Sequence, residues 1–195
     1  MPETRLWPVW MFPLFATPVL LFLWVRRRDA FKNLGFSTRN LGNHLGLGAV
    51  CGGLVLAVPP LLDSFIQASG LDQNPLFQGA GNRVLEESPL GGWTLIGILI
   101  FDPVCTQALV MGWGLQAVGK RSSPMPAVFL AAILIPLCRF DISLGSMGMG
   151  AVAAILFWRT GSLIPPILFQ AGTAGAGLLL RRVYPLGATF LSFLF

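Results

Sequence analysis

The stretch FDPVCTQALVMGWGLQ, residues 101–116, decides how this chain is read. It lies in the most apolar part of the sequence, yet Asp102, Pro103, Thr106 and Gln107 fall within two helical turns. Polar and ionisable side chains inside a membrane span mark functional sites, because hydrocarbon offers them no partners. Asp102 and Thr106 are four apart and share one helix face. With a span starting near residue 91, Asp102 sits roughly 15 Å deep, taking 1.5 Å of rise per residue. A charge there costs at least ~2.5–3.5 kcal/mol on insertion scales, so the group must be neutral or find a partner. Arg139, near the end of the next span, is the basic residue placed to reach it. In the alternative, Arg139 snorkels outward to Asp141 and Asp102 is left neutral, holding its proton.

The flanking sequence supports a membrane setting. Of 195 residues, 54% are hydrophobic and only 11% charged, against about 25% charged in soluble domains. Mean hydropathy is +0.73. The 23 glycines and 15 prolines suit helices in lipid, which tolerate both better than soluble helices do. The net charge of +5 comes mainly from residues beside apolar runs, so topology and anionic headgroups account for it. Nucleic-acid binding is not expected, because the basic and aromatic interleaving of such surfaces is absent.

Six spans fit the chain, at about 6–25, 45–63, 91–117, 123–140, 142–158 and 162–180, in one all-α membrane domain covering residues 1–195. The first, Leu6 to Val25, is about 20 residues long and is followed by Arg26, Arg27 and Arg28. A signal peptide carries its charge before the apolar run, so this reads as a permanent span with its carboxyl end in the cytoplasm. Residues 26–44 have the mixed basic and apolar character of an interfacial segment. The bundle core runs from about 45 to 180, and 181–195 form a short tail. The third span is long enough to tilt, or to kink at Pro103. Alternating the loops places more basic residues on the cytoplasmic side, although Arg181 and Arg182 conflict with that count. Small residues four apart predict close helix contacts: Gly42 with Gly46, Gly48 with Gly52, Ser146 with Gly150, Gly150 with Ala154, Ala171 with Gly175, and Thr173 with Gly177.

Other chemistry is poorly supported. Cys51, Cys105 and Cys138 form no CxxC pair, which argues against a disulfide framework or a zinc site. His44 is the one histidine and cannot form a HExxH pair; a solvated place at the interface suits it. Glu86 and Glu87 lie in the polar connection 64–90 and read as a solvated pair near a helix start. The glycines of GLGAVCGG lack the Lys-Ser/Thr and strand context of a phosphate loop. No internal repeat supports a transporter, and no cofactor or metal is expected.

The order of segments resembles the CPBP family, the CAAX-protease and bacteriocin-processing (Abi) group of glutamic-type intramembrane proteases. RTGSLIPPILFQ, residues 159–170, is similar to that family's turn into its last core helix. The approach to the third span, Gly112, and NLGFSTRNLGNHLGLGAVCGGL carry the rest of the likeness, from about Asn33 to Gly177. The resemblance implies a CPBP-like helical core in the cytoplasmic membrane of a prokaryote. It also assigns positions. The Glu pair of EExxxR falls on Thr106 and Gln107 and its arginine on Met111; Arg139 stands where a second-motif histidine would; HxxxN falls on Gln170 and Ala174. In such enzymes a glutamate activates water while His and Asn stabilise the oxyanion. Thr106 and Gln107 cannot accept a proton at ordinary pH, and Arg139 is permanently cationic. Loss of a base alone removes a factor of about 10²–10⁴.

These substitutions predict a pseudoprotease. Asp102, Thr106, Gln107, Met111, Arg139, Gln170 and Ala174 would form a vestigial polar pocket, and the protein would bind or scaffold a membrane-protein partner within the lipid bilayer. The alternative is a metal-independent endopeptidase of the CAAX-protease type that uses Asp102, one turn before the first motif, as a different base.

Overall fold

A computed structural model describes residues 13–14, 16–21, 25, 35–36, 40–70, 92–115, 124–139 and 143–183, without the side chains of Pro59, Leu62, Asp63, Pro124, Arg139, Arg181, Arg182 and Val183. Among these residues every regular element is helical. We label them α1 (Leu41–Leu54), α2 (Val58–Ala68), α3 (Gly92–Leu115), α4 (Pro124–Arg139), α5 (Leu144–Thr160) and α6 (Ile164–Val183). In the first expected span, residues 13–14, 16–21 and 25 are helical. Asp141, the Glu86-Glu87 pair, Arg26 to Arg28 and the tail from 184 lie outside the described residues.

The expected boundaries hold for α3 to α6 to within a few residues, and the differences have local causes. The expected span 45–63 is broken by a 3-10 turn at Val55–Ala57 before α2. Pro60 follows Pro59 in the first turn of α2, where missing N–H groups cost nothing. α5 begins at Leu144 because Ser143 caps it: the Ser143 hydroxyl accepts from Ser146 N–H, and the Ser146 hydroxyl accepts from Ser143 N–H, each at 3.1 Å. It ends at Gly161, whose φ of +63° is the left-handed conformation that favours glycine.

α3 is 24 residues long and apolar enough to cross a membrane. The other apolar stretches, Leu41–Ala57, Met125–Cys138 and Ile164–Leu180, are shorter. α3 also stays continuous through Pro103, and π-helical turns at Gly97–Phe101 and Ala108–Leu115 flank an α segment at Asp102–Gln107. The wider turn just before Pro103 gives its ring room that an α-turn denies, so the helix absorbs the proline without ending.

α6 is the central element. It packs along α1, touches α5, and contacts α3, while α4 packs along α5 and touches the end of α3. Between α3, α4, α5 and α6 lies a core of Met111, Leu115, Ala131, Ile135, Ala153, Phe157, Leu163 and Phe169. Backbone proximity accounts for the glycines. A Cβ on Gly52 would stand 2.9 Å from Gly172 Cα, and one on Gly48 would stand 2.7 Å from Leu168 Cβ. A Cβ on Gly150 would stand 2.7 Å from the Ala131 carbonyl oxygen. Not every small pair is used this way: Gly42, Gly46 and Gly177 have nothing within 4 Å of such an atom. Outward, α4 presents Met125, Phe129, Ile133 and Leu137, all exposed and four residues apart.

Candidate functional site

The site is built where α3 meets α6, and the chain places both partners by local means. On α3, the α segment Asp102–Gln107 holds Asp102 and Thr106 one turn apart, and the Thr106 hydroxyl donates to Asp102 Oδ1 at 3.2 Å. On α6, position 170 is fixed by the turn 159–166. Thr160 Oγ1 donates to the Leu156 and Ser162 carbonyl oxygens at 2.7 and 3.3 Å. Ser162 Oγ accepts from Ile164 N–H at 3.3 Å, and the buried Pro165 and Pro166 start α6. Gly35, at φ +93°, clamps this turn from outside by accepting from Leu163 N–H at 2.9 Å. A side chain at Gly35 would run into Phe157.

Gln170 then bridges two residues of α3. Its Nε2 donates to Asp102 Oδ2 at 3.2 Å, and its Oε1 accepts from Gln107 Nε2 at 2.6 Å. The residues are 68 and 63 apart in sequence. Asp102, Thr106, Gln107 and Gln170 are 6%, 0%, 1% and 3% exposed, so the network is shielded from any surrounding medium. The order Asp102–Gln170–Gln107 has a direction. Gln170 presents Nε2 to Asp102 and Oε1 to Gln107, and Gln107 answers with Nε2. Gln107 Oε1 is thereby turned away, and it is buried with no hydrogen-bond partner.

The remaining expected residues are placed unevenly. Met111 is fully buried in the core rather than polar-facing. Ala174 lies one turn beyond Gln170 on α6 and is half-buried. Arg139 is the last residue of α4, and its side chain lies outside the described residues. A cavity of about 10 Å³ is lined by Gln107, Ile135, Met149, Phe169 and Gln170. The apolar lining residues escaped sequence reasoning because nothing in their identity separates them from ordinary core. Thr173, buried with its hydroxyl donating to the Gln170 carbonyl oxygen at 2.8 Å, was also missed. Its spacing of three from Gln170 was the available signal. His44, expected to be solvated, is half-buried in α1 with Nδ1 buried and unpartnered. No group of three or more His, Cys, Asp or Glu that could hold a metal occurs among the described residues.

What this arrangement offers chemically is one carboxyl group bonded at both oxygens and two carboxamides bonded to each other. Carboxamides orient and polarise; they do not take up a proton. Residues 88–175, a little under half of the chain, match the family described as Type II CAAX prenyl endopeptidase Rce1-like. The match spans α3, α4, α5 and α6 as far as one residue past Ala174. No curated protein and no solved structure matches the chain. The helical core that brings positions 107 and 170 together is thus the segment that is similar to the Rce1-like family.

Proposed function

We propose that this protein is a non-catalytic CPBP-like membrane protein that holds or regulates a membrane-protein partner. The observation that carries the reading is the 2.6 Å bond between Gln107 and Gln170. The positions that resemble the family's second glutamate and its histidine are closed on one another by a neutral pair. A substrate carbonyl and its attacking water need more room than a cavity of about 10 Å³, which is roughly that of one water. The whole chain would form one multi-pass membrane domain. The exposed row Met125, Phe129, Ile133 and Leu137, with Trp93 at 79% and Leu144 at 80% exposure, fits a lipid-facing surface.

A second reading keeps the enzyme: Asp102 would act as the base, because its Oδ2 lies 3.2 Å from Gln170, in the same cluster as the motif positions. The two readings separate cleanly. Chain reconstituted in liposomes with prenylated CAAX peptides is expected to cleave no faster than empty liposomes, and Asp102→Asn is expected to match it. Cleavage lost on that substitution would establish the second reading. Gentle solubilisation is expected to bring down a stoichiometric membrane partner; a chain recovered alone from native membranes counts against the scaffold role.

A further inference from the structure

The Gln107 carboxamide is asymmetric in a way that neither reading above uses. Its Nε2 is committed to Gln170, while its Oε1 is buried and unpartnered. Turning the amide over would set Oε1 against Gln170 Oε1, acceptor on acceptor. Turning Gln170 over as well would remove the donor from Asp102 Oδ2. The three bonds thus run in one direction, and Gln107 Oε1 is left at their end. Gln107 also lines the cavity of about 10 Å³, with Ile135, Met149, Phe169 and Gln170. That is about the room of one water, and a buried water needs two or more polar partners.

We infer that this cavity is a binding site for a single water molecule, which donates one hydrogen to Gln107 Oε1 and the other to the remaining lone pair of Gln170 Oε1. The ligand must be a small neutral donor. The cavity has about the room of one water, and its other walls are two hydrocarbon side chains and a thioether. Asp102 is not among those walls, so the water is held by carboxamides and not by the carboxylate. It is a structural water that completes the network, and its presence does not depend on whether the chain cleaves peptides.

The test uses the full-length, ¹⁵N-labelled chain in lipid nanodiscs and reads magnetisation transfer between water and the Gln107 side-chain amide. A water held for longer than nanoseconds gives NOE and ROE cross peaks of opposite sign. That pattern is expected for the wild type, with the resonance assigned by its loss in Gln107→Met. Met149→Phe, which adds ring carbons to the cavity wall without touching the carboxamides, is expected to keep the resonance and abolish the cross peak. Should Gln107→Met fail to fold, selective glutamine labelling with Met149→Phe alone gives the same answer. Absence of the cross peak in the wild type, or its survival in Met149→Phe, overturns the inference.

Discussion

α6 makes two contacts that could hardly differ more. Toward α1 it offers Gly172 to Gly52, backbone against backbone. Toward α3 it offers Gln170 to Asp102 and Gln107, where each atom must be a donor or an acceptor in a set order. The first contact is specified by shape and the second by direction. In lipid, where apolar burial does not drive helices together, both are legitimate ways to specify a bundle. They fail differently, and substitutions can separate them.

The largest effect is expected at the shape-specified contact. Gly52→Val puts carbon where Gly172 Cα and the Leu168 carbonyl oxygen already stand, at 2.9 and 3.3 Å from a bare Cβ. These are backbone atoms that cannot swing aside, so the loss should reach about 3 kcal/mol, the upper end for overpacking. Gly53→Val, one residue on, meets nothing within 4 Å and carries the same change in helix propensity. It should stay within about 0.5 kcal/mol, as exposed substitutions do. Reversible unfolding in mixed micelles measures both. Equal losses would mean that the glycines matter only for helix flexibility.

This contrast also explains what was legible in the sequence. A shape contact leaves a trace in residue type: Gly48, Gly52 and Gly150 stand at four-residue spacings and do approach backbone. The trace is one-way, since Gly42 and Gly46 have the same spacing and face open space. The polar centre was legible as a set, because Asp102, Thr106, Gln107 and Gln170 are costly in lipid and had to meet someone. Who donates to whom was not legible, because it depends on rotamers of residues more than 60 apart in sequence. The small cavity was unreadable for a related reason. Its walls are Ile135, Met149 and Phe169, and only packing distinguishes a wall from a filler. The π-helical turns beside Asp102 left no signal beyond Pro103.

The next effect breaks direction while nearly preserving shape. Gln107→Glu replaces Nε2 by an oxygen that faces Gln170 Oε1, so two acceptors meet in a buried site. The expected loss is about 1–3 kcal/mol, the cost of an unsatisfied buried polar group. Adding Asp102→Asn supplies a donor at the far end and lets Gln170 turn over, reversing the whole chain of bonds. The double variant should therefore be more stable than the sum of the single losses predicts, a coupling that a double-mutant cycle reads directly. Strict additivity would show that the three residues do not act as one oriented unit.

The smallest effect tests whether direction or shape governs a position that has both. Thr106 is fully buried and its hydroxyl donates to Asp102 Oδ1. Thr106→Val keeps the volume and removes the donor; Thr106→Ser keeps the donor and removes a methyl. Interhelical and buried polar contacts in membranes average only about 0.6 kcal/mol, whereas a lost buried methyl group costs about 1 kcal/mol. If Thr106 belongs to the oriented network, Val costs about 0.6 kcal/mol through the donor it takes from Asp102 Oδ1. If Val is tolerated and Ser is not, Thr106 is held by packing alone, and the directed set shrinks to Asp102, Gln170 and Gln107.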